Sequence, residues 1–361
     1  MKINILTQPL YTNYGGILQN FALQEVLRKM GHMPLTINVP TKPPRGKIIW
    51  KDAIKSGINL YKKIKGEYPY PFLSPYKNAI KEYEFSSRLG EFVKKHINHV
   101  NVKAPFTSQT VKDYPADVWI VGSDQVWRPW CSHYIENCFF DFIPPETKTK
   151  RIAYAASFGT DQWEIDSEKT ERIIPLAKHF DAISVREESG IPLVKNILGM
   201  EAVHALDPTL LLSSEDYLKL VPEDLLKNDS PKLTTYILDP NKEKRDTIKK
   251  YSNLLKLTEK KAGLIHKERI DSVEEWLADF ATANVIITDS FHGTAFSIIF
   301  GKPFMVLKNP VRGNARIDSL LKSVSLASSD FGLARKKDET DNLLDNGILN
   351  SKNWLSRVLA E

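Results

Sequence analysis

With 361 residues, of which 42% are hydrophobic and 26% charged, the chain is too long for one ordinary core and too apolar for global disorder, so two packed domains are expected. The net charge of +6 is mild and spread along the chain; it suits anionic partners such as phosphates or a lipid surface, and no nucleic-acid partner is expected. Two cysteines, Cys131 and Cys138, are too few for a disulfide framework or a four-ligand zinc site, and neither metal nor cofactor is expected.

The N-terminal "MKINILTQPLYTNYGG" lacks the apolar stretch of a signal peptide, and no window reaches about 18 apolar residues. A cytoplasmic location is therefore the expectation. Ile3 to Gln8 reads as a first strand that meets a Gly-containing turn. Leu18, Phe21, Ala22, Leu23, Val26 and Leu27 then recur at helical spacing, and Gly31 ends the helix before a strand at 34–38. This β-α-β unit predicts a parallel sheet. Residues 41–67 alternate Lys with Ile, Leu, Trp and Tyr. They read as a solvated helical insertion, as a helix lying on an anionic membrane at the inner face, or as a helix for a partner's groove. Residues 76–99 read as helical, with Tyr83, Phe85, Leu89, Phe92 and Val93 on one side, so the insertion spans about 41–99. "ADVWIVGSDQVW" gives a buried strand that stops at Gly122, and "RIAYAASFG" another that stops at Gly159. "FDAISVREESGIPLVKNILG" gives a strand, an Arg, and a helix from near Glu187.

Near residue 200 the rhythm restarts. "MEAVHALDPTLLL", "KLTTYILDP", a helix to about 258, "KAGLIH", a helix at 272–282, "NVIITDS", the run after Ser290 and "PFMVL" alternate strand and helix, and 315–361 reads as helices around a polar loop. The pattern predicts an α/β protein of two Rossmann-like doubly wound domains facing a cleft, residues 1–199 and 200–361.

Ligands of open α/β sheets sit beyond the C-terminal strand ends, where several polar clusters fall. Ser290 is a good N-cap, so His292 enters the first turn of a helix whose free N–H groups can hold an anion, and Gly293 would let that ligand approach the backbone. Arg186 emerges from a strand end, either to grip a carboxylate with two parallel hydrogen bonds or to pair with Glu187, Glu188 or Asp181. Lys308, Arg312 and Arg316 follow the strand "PFMVL". Asn13, Tyr14, Gly15 and Gly16 close the first β-α turn without forming a dinucleotide fingerprint or a Walker loop. Asp124 could accept hydrogen bonds or a proton from sugar hydroxyls. Trp127 and Trp130 either stack on a sugar ring or pack in the core.

"NYGGILQNFALQ", "DVWIVGSDQVW", "ISVREESG", "LDPTLLL" and "DSFHGTAFSIIFGKPF", in this order, together resemble the polysaccharide pyruvyl transferase family. The resemblance implies a GT-B-like pair of Rossmann domains and transfer of pyruvate from phosphoenolpyruvate to a sugar hydroxyl pair as a ketal, without a metal. It implies that Arg186, Ser290, His292 and Gly293 bind the donor, with Lys308 or Arg312 as a third cation. His292 is then the expected general acid and Asp124 a candidate base. The acceptor side, a sugar or lipid-linked oligosaccharide, would fall to Asn13, Tyr14, Gly15, Asp124 and Trp127. A GT-B glycosyltransferase using a nucleotide sugar and a non-catalytic glycan-binding protein are the alternatives.

Overall fold

A computed structural model describes residues 1–11, 13–40, 87–132, 134–227, 230–263, 270–309, 312–326 and 337–361. The basic 41–67 segment, with its expected membrane contact, lies outside the described residues.

Two parallel sheets organise the molecule. The first contains β1 (Lys2–Leu6), β2 (Met33–Asn38), β3 (His99–Asn101), β4 (Val118–Val121), β5 (Lys150–Ala156), β6 (Ala182–Val185) and β7 (Val203–His204), in the order β3-β2-β1-β4-β5-β6-β7. The second contains β8 (Lys232–Tyr236), β9 (Thr258–Lys261), β10 (Val285–Thr288) and β11 (Phe304–Val306), in the order β11-β10-β8-β9. All described pairings are parallel. The central strand β4, Val-Trp-Ile-Val, is buried at every residue, as a strand covered on both faces must be.

Helix α1 (Tyr14–Lys29) follows β1 and is capped by Asn13, whose side chain accepts from the Gly16 N–H. It is buried on nearly all sides because it lies between the first sheet and the second unit. Helices α2 (Ser167–Ala177), α3 (Lys242–Leu255), α4 (Val273–Ala281), α5 (Phe291–Ile299), α6 (Ala315–Ser323) and α7 (Lys337–Ala360) complete the described frame used below.

Four expectations are corrected. The strand at 203–204 pairs with β6 and so belongs to the first sheet, which moves the boundary beyond the expected 199/200 break. The tail does not stay with the second unit: α7 returns to the first, where the Leu206 N–H donates to Ser351 Oγ at 3.0 Å and Trp354 packs 6.2 Å from Tyr154. The edge strand β9 is Thr258–Lys261 rather than "KAGLIH", and the residues after Gly263 in that stretch are not described. The run after Arg186 becomes helical only at Gly190, because the Glu187 carboxylate is turned inward. It accepts from the Phe158 N–H at 2.7 Å and the Gly159 N–H at 3.0 Å instead of greeting a helix start.

Among the described residues no helix is long and apolar enough to cross a membrane.

Candidate active site

The C-terminal ends of β1 and β4 face those of β8, β10 and β11 across a cavity of about 280 Å³. Asn13, Gly15, Asp124 and Gln125 line it from the first unit; Tyr236, Asp289, Ser290, His292, Arg312 and Arg316 line it from the second. A larger groove of about 480 Å³, between β8, β9 and α3, shares none of these residues and is lined from the second unit alone.

The second unit's wall is built by a buried carboxylate. Asp289, at the end of β10, accepts from the Leu238 N–H at 2.7 Å, Lys244 Nζ at 2.6 Å and Asn309 Nδ2 at 3.0 Å. One side chain thereby ties together the loops after β8, β10 and β11. Ser290 then caps α5, its Oγ accepting from the Gly293 N–H at 3.4 Å, and His292 falls in the first turn as expected. Gly293 has a different use from the one expected: an added Cβ would lie 2.1 Å from Thr288 Oγ1, so the glycine makes room for β10 and does not face the cavity. Gly15 is the glycine that permits a close approach. Its missing Cβ would stand 2.0 Å from His292 Nδ1, so the imidazole lies directly on the start of α1.

Beneath the cavity lies a buried ionic cluster joining both units. Arg186 is 2% exposed, and its NH1 donates to Asp207 Oδ2 at 2.9 Å while NH2 donates to Asp124 Oδ1 at 3.2 Å. Its guanidinium also stands 4.5 Å from the Phe291 ring centroid. His292 Nε2 is 3.7 Å from the same Asp207 oxygen, within ion-pair range but too long for a hydrogen bond. Arg186 and His292 are thus joined through one carboxylate. The expected partners Glu187, Glu188 and Asp181 do not pair with Arg186; Asp124 and Asp207 do. The fork that was expected to hold a ligand's carboxylate holds two of the protein's own.

The electrostatics follow from burial and neighbours. Burial raises the Asp207 carboxyl, but the His292 ring and then Arg186 outweigh it and hold the group well below the usual range. Asp124 is likewise held low against burial by Arg186, His292 and Arg316. A carboxylate held low is a weak proton acceptor, so Asp124 suits hydrogen bonding to hydroxyls better than general-base work. Burial, then repulsion by Arg186, pushes Arg316 down to about 10. Arg316 NH2 donates to the Arg312 carbonyl at 2.9 Å, and its buried Nε has no hydrogen-bond partner. Among the described residues no carboxylate forms an ion pair with it.

The other expected residues divide. Asn13 caps α1 and lines the cavity. Arg312 lines it too, with Nε bonded to Asp239 at 2.6 Å. Lys308 is exposed and does not line the cavity, because β11 ends before it and turns it outward. Tyr14 is 1% exposed and stacks on Trp276 at 5.6 Å, its hydroxyl donating to the Asp271 carbonyl at 2.7 Å; it pins the two units together rather than meeting a sugar. Trp127 is 1% exposed and stacked on Phe139 at 5.1 Å, so it packs in the first unit's core and cannot stack on an acceptor. Trp130 is the exposed member of the pair, at 55%, with the Arg128 guanidinium 5.0 Å from its ring.

Sequence reasoning passed over Asp207 and undervalued Arg316. Asp207 stands in "LDPTLLL", where an Asp before Pro-Thr reads as an ordinary cap, and it does cap the short helix Pro208–Leu211.

Two parallel α/β units meeting at their strand ends over a shared cavity define the GT-B fold. Solved structures agree on the fold. UDP-GlcNAc 2-epimerase from Neisseria meningitidis, bound to UDP-GlcNAc, is similar over 100% of both chains with a TM-score of 0.51 and 10% identity. The enzyme of the same name from Methanocaldococcus jannaschii is similar over 100% of this chain and 99% of its own, with a TM-score of 0.50 and 14% identity. No curated protein matches the chain in sequence. The family model "Polysaccharide pyruvyl transferase" matches residues 13–310, and the chain belongs to that family.

Proposed function

We propose that the protein transfers pyruvate from phosphoenolpyruvate to a pair of sugar hydroxyls on a glycan precursor, free or lipid-linked, closing a cyclic ketal and releasing phosphate. The observation that carries this reading is Arg316: a buried guanidinium on the cavity wall with no carboxylate partner among the described residues, 24 positions after the histidine at the start of α5. A buried charge without a counterion is costly unless a ligand supplies one. Phosphoenolpyruvate carries close to three negative charges at neutral pH, on a carboxylate and a phosphate. Arg316, Arg312, His292 and the N-terminal end of α5 form a matching counterweight. Arg186 lies beneath, its charge met by Asp207 and Asp124, and its longer bond, to Asp124, is the one a donor carboxylate would replace.

In this scheme His292 gives a proton to the methylene carbon, and the central carbon becomes oxocarbenium-like. One sugar oxygen attacks it; the phosphate then departs and the second oxygen closes the ring. The hydroxyl protons leave with phosphate and on the re-protonated histidine. Asp124 accepts hydrogen bonds from the attacking hydroxyls.

A nucleotide-sugar transferase of the same fold is the rival reading. Phosphoenolpyruvate at about a hundred times its Kd is expected to stabilise the native protein by about 2.7 kcal/mol. The thermal transition should rise with phosphoenolpyruvate and stay put with UDP- or GDP-sugars; the reverse pattern favours the rival. Arg316→Gln should abolish most of that rise while leaving the ligand-free transition within a few degrees, because the arginine's own burial is unfavourable. His292→Gln should keep part of the rise yet lose turnover by about 100-fold or more.

A further inference from the structure

We infer that Asp207 is a positioning residue whose carboxylate, at ion-pair distance from His292 Nε2, keeps the ring's proton on that nitrogen and thereby makes Nδ1 the one that works on the donor; this rests on the role proposed for His292 above. Asp207 is fixed by partners other than His292. Its Oδ1 accepts from the Thr209 N–H at 3.0 Å and Thr209 Oγ1 at 2.8 Å, so the carboxylate plane cannot turn freely. Its Oδ2 accepts from Arg186 NH1 at 2.9 Å and Ser123 Oγ at 3.2 Å. His292 Nε2 looks at that same oxygen from 3.7 Å, and this nitrogen is buried with no hydrogen-bond partner.

A lone pair pointed at a carboxylate is repelled, whereas an N–H pointed at it is attracted, so the neutral ring keeps its proton on Nε2. The remaining nitrogen, Nδ1, lies beside Gly15, and both residues line the cavity; of the two ring nitrogens, Nε2 is the buried one without a partner. When the imidazolium acts as an acid, the Nδ1–H bond breaks and a C–H bond forms at the donor's methylene carbon. The ring returns to its neutral form with Nε2–H still facing Asp207, and no ring flip is needed between turnovers. The arrangement also crosses the cleft, since Asp207 follows β7 of the first sheet and His292 follows β10 of the second. The histidine is oriented only when the two units are together.

The test reads the tautomer directly. In the full chain labelled with ¹⁵N-histidine, long-range ¹H–¹⁵N spectra distinguish the two neutral forms, and His292→Gln identifies the resonance among the eight histidines. The Nε2–H form is expected for the wild type. Asp207→Asn can offer an amide N–H to Nε2, which should move the ring toward the Nδ1–H form and lower kcat by about 10³-fold or more, with a much smaller change in the KM for phosphoenolpyruvate. An Nδ1–H ring in the wild type overturns the inference, and that measurement needs no variant to fold. So does wild-type kcat in Asp207→Asn. Undiminished turnover in His292→Gln instead removes the acid role itself, while the tautomer readout still reports whether Asp207 sets the ring.

Discussion

An Arg186→Met protein is expected to melt about 5 °C lower than the wild type and to lose its response to phosphoenolpyruvate. Arg186 is 2% exposed and is the direct cationic partner of both Asp124 and Asp207. Removing one member of a buried ion pair leaves the other as an uncompensated charge, at a cost of about 3–5 kcal/mol, which sets the size of the thermal shift. The pH dependence fixes the cause. In the wild type both carboxyls are held below the usual carboxylate range, so their contribution is complete above that range and is lost as pH falls through the folded-state pKa. In Arg186→Met burial acts on them with less opposition, their pKa values rise, and acidification relieves the penalty. The gap between the two melting temperatures should therefore narrow as pH falls from 7 toward 4. Adding Asp124→Asn should recover part of the stability and none of the activity, because it removes the surplus charge without restoring the donor's cation. Calorimetry of the wild type and the two variants across that pH range is the measurement, and a gap that widens on acidification contradicts this account.

Gly15→Ala should separate activity from stability in the opposite sense. In a first helical turn Ala is favoured over Gly by up to about 1 kcal/mol, so the substitution looks harmless from the sequence. In the folded protein the new methyl would stand 2.0 Å from Nδ1, 2.2 Å from Cγ and 2.7 Å from Cε1 of His292, and the ring must move. A displacement of about 1 Å at a reacting group costs on the order of 100-fold in rate. A loss of kcat of at least that size is expected, with a melting temperature within a few degrees of the wild type. Gly90→Ala is the control: its Cβ would meet Tyr11 at 3.5 Å, an ordinary contact, and it lines no part of the cavity. Equal kinetics in Gly15→Ala and Gly90→Ala would mean that the histidine ring does not work where it lies.

Much of this protein is written locally. The alternation of buried β runs with helical spacing fixed two parallel sheets. Ser290 fixed the start of α5 and so put His292 at a helix end, since a cap acts on residues three positions away. The five motifs fixed the family. What local sequence could not settle is which side chains share a hollow. Trp127 and Trp130 are three residues apart, and only the packing of Phe139 against one of them decides that Trp127 is core and Trp130 is surface. Gly293 looked like an opening for a ligand and Gly15 like part of a turn, yet Gly293 makes room for Thr288 and Gly15 for His292. Asp207 and Arg316 gained their meaning from partners 85 and 130 positions away, His292 and Arg186. Charge acts through space over a few ångströms, whereas caps, turns and periodicity act along the chain. The sequence by itself therefore determined the elements and their family, and the meeting of two sheets at their strand ends decided which charges form the site.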